Sequence, residues 1–388
     1  MIARRQLPVS STITGRSLVQ ALGLALRDGA QERAALASEL CTAFHASGAV
    51  LVDSGTSALA MALRSTTPAG KVVALPAYAC VDIGAAAIHA RLRVRLYDID
   101  PATLSPDLDS VSRVLAAGVD AIVVSHLYGY PADVPGVAAL AAAHGTTVIE
   151  DAAQSAWGSL LGTRLGSFGP LSVLSFGRGK GLGGGGGGAL LSVGRAGVDA
   201  LANAGSRVAA SSGALRTLVV ATAQWALGRP ALYALPSAIP ALHLGETIYH
   251  PAHEPIEITP VSASLVRAAL KRADRDLAVR RGNALELERA IGRSRDVSAI
   301  RALVNGKTGY LRFPVRLAPT RTTKKDEAAL GIVHGYPNTL AELPELQPLI
   351  IGDEALQGSR ELQRSLVTLP THALVTKEDL KNLSSWMG

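Results

Sequence analysis

Lys180 closes the segment Leu174-Ser175-Phe176-Gly177-Arg178-Gly179-Lys180 and stands just before six consecutive glycines, Gly183 to Gly188. Twenty-nine residues earlier a strand-like run, Thr147-Val148-Ile149, ends in Glu150-Asp151. A lysine and a carboxylate, each delivered by the end of a buried strand, suit an aldehyde cofactor such as pyridoxal 5'-phosphate (PLP). The lysine supplies the Schiff base and the acid holds the ring nitrogen protonated. Only eight lysines occur among 388 residues, so one in this setting is not a generic surface charge.

Glycine is what the site needs beside the lysine, because the missing Cβ lets a flat ring approach the backbone. Nine of the twelve residues from Gly177 to Gly188 are glycine. A phosphate-binding P-loop is the rival reading of Gly179-Lys180. It fails because Gly181 follows where Ser or Thr is required. A flexible linker is the other rival, and the β-like runs on both sides oppose it.

A third element is Asp53-Ser54-Gly55-Thr56-Ser57, which joins the strand Ala49 to Val52 to an Ala-rich helix. Gly55, Thr56 and Ser57 at a helix N-terminus offer N–H groups and hydroxyls to a phosphate. Plain helix capping is the alternative there, as it is for Asp151 ahead of Ala152-Ala153-Gln154. Glu150 and Asp151 point to opposite faces of a strand, so only one of them reaches a site. Gln154, about one turn on, is placed to meet the cofactor's phenolic oxygen.

These residues require a scaffold that presents strand ends. Between residues 49 and 194, β-rich runs alternate with Ala-rich helical stretches. The runs are Lys71–Leu75, Arg93–Tyr97, Ala121–Ser125, Thr146–Glu150, Leu171–Phe176 and Ala189–Val193. Such alternation predicts an α/β fold with a mostly parallel sheet flanked by helices, whose chemistry sits at the carboxyl ends of the strands. Residues 195–257 break the rhythm with helical stretches and a proline-rich segment, and read as an insertion or arm. A charged helix over Ser262–Arg280 and strands at Tyr310–Val315 and Leu366–Pro370 predict a smaller C-terminal α/β domain. The division expected is 1–257 and 258–388.

Composition excludes other classes. Hydrophobic residues make up 48% and charged residues 18%, which describes a folded chain. The net charge is +7, but the arginines are scattered and aromatics are only 4%, which argues against a nucleic-acid platform. No apolar run reaches the ~18 residues of a membrane span. Cys41 and Cys80 build no disulfide framework, and Met1 to Pro8 lacks a signal core, so a cytoplasmic location is expected.

The chain resembles the DegT/DnrJ/EryC1/StrS aminotransferases, PLP enzymes of fold type I that aminate keto sugars. The matching segments are Ser54–Leu59, Leu75–Tyr78, Tyr97–Asp100, His126–Gly129, Ile149–Gln154, Gly166–Gly169 and Ser175 through Lys180 to Gly188. The resemblance implies Lys180 as Schiff-base lysine, Asp151 as pyridinium partner, and Gln154 near the cofactor hydroxyl. It implies Thr56, Ser57 and Ser175, beside Gly55, as phosphate ligands. It also implies a homodimer and a glutamate or glutamine amino donor. A nucleotide-activated keto sugar is the expected acceptor. Beside the resemblance, His126 and Arg312 are candidate pocket residues, with a hydrogen-bonded structural histidine and a solvated arginine as the alternatives. A lysine at 180 argues against the family's dehydratases, which place histidine there.

Three departures stand out. Where most of the family stacks an aromatic ring on the cofactor this chain has Cys80, so either Cys80 packs there or Tyr78 supplies the ring. Gly186 replaces an acidic residue. The Asn-x-Arg that many members send across the dimer is absent near Pro255 to Glu257. The long arm is a candidate wall of the substrate pocket through Arg207, Arg216, Tyr233, His243 and Glu246, though a surface or interface role is the favoured reading of each. A non-sugar ketone such as a cyclitol, and a regulatory cofactor-binding protein without turnover, are the alternative readings.

Overall fold

In a computed structural model the described residues are 4–26, 29–205, 208–239, 247–292, 294–321 and 327–388. Arg207, His243 and Glu246 lie outside them. The N-terminal helices α1 (Gly15–Leu22) and α2 (Ala30–Phe44) precede the main sheet. Its early strands are β1 (Gly48–Val52), β2 (Val72–Pro76), β3 (Arg93–Tyr97), β4 (Ala121–Ser125) and β5 (Thr147–Asp151). Between them lie α3 (Gly55–Thr66), α4 (Val81–His89), α5 (Leu108–Ala116) and α6 (Val134–Ala142). A small hairpin, β6 (Ser159–Leu160) and β7 (Thr163–Arg164), comes before β8 (Leu171–Ser175) and β9 (Gly188–Ser192).

The seven strands run in the order β1-β9-β8-β5-β4-β2-β3. Every pair from β8 to β3 is parallel, and β9 runs antiparallel to both neighbours. The reversal follows from the connection: only the glycine-rich loop, without a helix, joins β8 to β9, and a parallel return is usually made through a helix. Strands β2 and β4 are buried at every position, as expected for apolar runs with helices on both faces. Their side chains feed two cores, one around α3 and α4 and the other around α5 and α6.

The arm after β9 forms α7 (Gly194–Gly205), α8 (Ala214–Leu227) and α9 (Ala234–Ser237). Helix α8 shares a core with α1 and α10 through Leu218, Ala221, Leu18 and Val261. Arg216 is exposed on α8. The single helix expected over 262–280 is two, α10 (Pro260–Leu270) and α11 (Ala273–Ile291). Thr259 caps α10, with its hydroxyl accepting from Ser262 N at 3.2 Å. The break at Lys271-Arg272 sends α10 onto α2 and α11 toward the second sheet.

That sheet has the order β10-β12-β14-β13, from β10 (Val297–Ala299), β12 (Phe313–Leu317), β13 (Val333–His334) and β14 (Leu366–Leu369). A two-residue strand, β11 (Gly306–Lys307), joins the β6–β7 hairpin. Helices α12 (Gln357–Ser365) and α13 (Lys377–Met387) complete the chain. Strand β12 begins three residues later than the sequence suggests. Tyr310 has φ 45°, and the preceding Gly309 donates its N–H to Gly129 O at 2.7 Å.

His372, just after β14, ties the N-terminal strap to this layer: its Nε2–H donates to Leu7 O at 2.9 Å. Burial, opposed by that bond and reinforced by the Arg312 charge, pushes its pKa down from 6.5 to about 4. A histidine held neutral when folded contributes stability that is complete above pH 6.5 and is lost as the pH falls toward 4. The ceiling is about 3 kcal/mol. Thermal unfolding from pH 7 to pH 4 should show this loss, and His372→Gln should flatten that part of the profile.

Candidate active site

Strand ends and one helix start converge on a cleft of about 260 Å³. Asp151 is the last residue of β5, in register with Ser125 of β4 and Val173 of β8. Its carboxylate accepts from Ser125 Oγ at 3.1 Å and from Ala153 N at 3.0 Å. Burial lifts its pKa above the ordinary 3.8, and the Ala153 N–H, Lys180, Ser125 and His126 offset this only in part. A carboxylate so placed gains from a cation set against it. Lys180 reaches the same cleft from the loop after β8.

The loop is shaped by its glycines. Gly179 has φ +76°, and a Cβ there would meet Val9 Cγ2 at 2.5 Å. Gly188 leads into β9, where a Cβ would lie 2.4 Å from Ser54 O. Gly187 N donates to Asp53 O at 2.9 Å, which fastens the loop to the start of α3. At that start Ser54 is the cap, its hydroxyl accepting from Ser57 N at 3.0 Å. The N–H groups of Gly55 and Thr56 open the helix and have no intrahelical acceptor. They face the cleft together with Ser175.

The structure divides the expected site residues. Lys180, Asp151, Gln154, Gly55, Thr56, Ser175 and His126 line one cleft. Ser57 is buried behind it, with its hydroxyl 2.9 Å from Ser54 Oγ. Tyr78 is fully buried in the core, and its hydroxyl accepts from Tyr336 N at 2.9 Å. The side chain that borders the cleft at this point is Cys80. Burial and Asp82 push its pKa up to about 12, so it is a neutral thiol. Gln154 has both ends engaged: Oε1 accepts from Tyr128 N at 3.1 Å and Nε2 donates to Tyr336 Oη at 2.7 Å.

His126 has no ring nitrogen to spare. Ala132 N donates to Nδ1 at 2.9 Å, so the proton lies on Nε2, which donates to Glu150 Oε1 at 2.8 Å. Glu150 points away from Asp151, as strand alternation requires. It accepts from Gly166 N, Phe168 N, Gly169 N and Ser172 Oγ at 2.6–3.1 Å. Burial works against its charge, but His126 and the Gly166 and Phe168 N–H groups win and hold its pKa below 4.5. Arg312 lies outside the cleft, in an adjoining cavity of about 640 Å³ that shares Lys180, Gln154 and Tyr336. Of the arm, Thr247 and Ile248 reach that cavity.

Sequence reasoning missed Tyr336 as a site residue. It borders both cavities and contacts Tyr78 and Gln154 across separations of 258 and 182 residues. Its only local mark is a turn-like Gly335-Tyr336-Pro337-Asn338, which says nothing about a cleft. The groups present fit an aldehyde that carries a phosphate. There is an amine, a half-buried acid, first-turn helix N–H groups with hydroxyls beside them, and at Gly186 a backbone whose absent Cβ leaves open space. Among the described residues no cluster of His, Cys, Asp and Glu could hold a metal ion, and no helix is long and apolar enough to cross a membrane.

Solved aminotransferase structures share this fold. A DegT DnrJ EryC1 StrS aminotransferase from Brucella abortus shares it, with TM-score 0.75 and 18% identity over 96% of this chain and 93% of that one. The family is narrower than the fold. Residues 21–208, just under half of the chain, match the model of the DegT/DnrJ/EryC1/StrS aminotransferase family. A UDP-N-acetyl-3-dehydro-alpha-D-glucosamine 3-aminotransferase of Acidithiobacillus ferrooxidans is 35% identical over 131 residues, 34% of this chain and 36% of that protein. An L-glutamine:2-deoxy-scyllo-inosose aminotransferase of Streptomyces kanamyceticus is 35% identical over 132 residues, 34% and 31% of the two chains. The matched segment spans about a third of each curated relative's length.

Proposed function

We propose that this protein is a PLP-dependent aminotransferase that moves an amino group from glutamate or glutamine to the keto group of a nucleotide-activated sugar. One observation carries the reading: Lys180 and Asp151 enter the same cleft from different strand ends, above the open start of α3. Gly55, Thr56 and Ser175 would hold the phosphate, Asp151 the ring nitrogen, and Lys180 the aldehyde carbon. The bound cofactor supplies an electron sink for the charge that develops at the donor's α-carbon.

The protein's own part is positioning and proton transfer. Lys180, once free, takes the proton from the donor's α-carbon and returns it on the opposite side of the exchange. Asp151 keeps a proton on the ring nitrogen, and the cation thereby created removes the burial penalty on its carboxylate. Ser125 and Ala153 fix that carboxylate, so it need not reorganise during reaction. Gln154, Tyr336 and Tyr128 form one hydrogen-bonded wall between the cleft and the second cavity. The proposal includes a homodimer in the cytoplasm, large and small domains at 1–257 and 258–388, and Cys80 in place of a stacking ring.

Asp151→Asn should lower turnover by roughly 10²–10³-fold while the variant still takes up the cofactor. Unchanged turnover would remove Asp151 from this role. The acceptor is tested by supplying purified enzyme with glutamate, glutamine and a panel of nucleotide keto sugars. Inactivity on all of them beside amination of a cyclitol ketone would favour the second reading. Its specific support is that the Streptomyces relative, named for amination of 2-deoxy-scyllo-inosose, is as similar to this chain as the sugar-nucleotide relative.

A further inference from the structure

Arg312 is a half-buried cation that pairs with no carboxylate among the described residues. Its Nη2 donates to Thr368 O at 3.1 Å and reaches Gly331 O at 3.5 Å. Its Nε is buried with no partner. An unpaired Nε alone is not distinctive, since Arg64, Arg95, Arg316 and Arg321 share it. Arg64 and Arg316, however, are paired with the carboxylates of Glu254 and Glu361, and neither Arg95 nor Arg321 lines the cavity beside Lys180. Arg280, more deeply buried, satisfies Nε and Nη2 on Gly309 O and Ala156 O and has Asp276 nearby. For Arg312 burial pushes the pKa down to about 10, and the groups that oppose the shift are the hydroxyls of Tyr128, Tyr233 and Tyr336. A charge desolvated in this way is costly unless something negative joins it.

The surroundings point the same way. The cavity that Arg312 lines also holds Arg178, His334 and Lys180, and none of its described lining residues is acidic. His334 lies 3.3 Å from Glu327, so its own demand is met. The rings of Tyr128 and Tyr336, 5.9 Å apart and stacked, form an apolar wall beside the guanidinium. Arginine presents a planar fork that matches a carboxylate or phosphate.

We propose that Arg312 anchors an oxyanion of the substrate in the cavity next to Lys180. The inference rests on the aminotransferase reading for the word substrate, but the binding it describes does not depend on turnover. Two groups share the required chemistry: the carboxylate of the amino donor and the phosphate of a nucleotide-activated acceptor. An anion bound there leaves its reacting end free to approach Lys180, because one cavity contains both residues.

The test is calorimetric titration of the cofactor-loaded full chain with glutarate, an unreactive dicarboxylate, and separately with uridine diphosphate. Wild type is compared with Arg312→Gln and Arg312→Lys. The expected result is that at least one anion binds wild type and weakens about 10- to 100-fold in Arg312→Gln, with part of the affinity kept in Arg312→Lys. Weakening of glutarate assigns the donor carboxylate, and weakening of uridine diphosphate assigns the acceptor phosphate. Equal binding of both anions to wild type and Arg312→Gln, or no binding of either to wild type, overturns the proposal. If Arg312→Gln does not fold, the His372 titration midpoint in wild type serves instead. Saturating anion should raise it by cancelling the Arg312 charge, and an unmoved midpoint overturns the proposal. Absence of aminotransfer with Arg312-dependent binding intact would sink the function reading and leave this one standing.

Discussion

Lys180→Ala removes visible absorbance near ~420 nm from the cofactor-treated protein and lowers aminotransfer by roughly 10⁴-fold. The size of the effect follows from two roles in one atom. In the proposed reaction Nζ would be both the amine that captures the aldehyde and the base that moves the α-proton. Among the described residues nothing else in the cleft replaces it: His126 has both nitrogens engaged, and Cys80 is held as a thiol. Lys180→Arg should fail almost as completely. Arginine keeps the charge but does not surrender its proton, so this variant separates nucleophile from cation. A band that survives in both variants would mean the colour arises at another lysine, and absorbance spectra of the purified variants decide it.

Glu150→Ala should lower folding stability by about 3–5 kcal/mol. The substitution strands the N–H groups of Gly166, Phe168 and Gly169, the Ser172 hydroxyl and the His126 Nε2–H, all of which converge on one carboxylate. Glu150→Gln keeps a carbonyl acceptor and should lose less, about 1–3 kcal/mol. Because the folded pKa lies below 4.5, the carboxylate's contribution is present above that pH and fades as the pH falls below it. Urea denaturation at pH 7 measures both variants. A midpoint for Glu150→Ala equal to wild type would show that the node does not hold the 166–169 loop.

Much of this site was legible in the chain. Lys180, Asp151 and the Gly55-Thr56 start sit at the ends of runs whose apolar, β-branched residues declare buried strands, and strand ends of a parallel sheet are where such folds work. The choice between Glu150 and Asp151 was left open by alternation alone. The structure shows Glu150 spent on an internal loop and Asp151 in the cleft. What was not legible depends on distant pairings. Tyr78 looks like a ring donor until Tyr336, 258 residues on, captures its hydroxyl. Ser57 looks like a phosphate ligand until its hydroxyl is found against Ser54. Arg312 could be named a pocket candidate, but that no described carboxylate lies beside it in the cavity depends on distant pairings. The break between α10 and α11 was hidden for a similar reason, because helix-forming residues continue through Lys271-Arg272 and the turn is set by which core each half joins.

The most direct measurement of the central claim is the spectrum of the cofactor-loaded protein as glutamate or glutamine is added. The account predicts that absorbance near ~420 nm declines as the amino group passes to the cofactor, and that a keto substrate then restores it. No spectral change with any amino donor, in protein that has taken up the cofactor at Lys180, would contradict it.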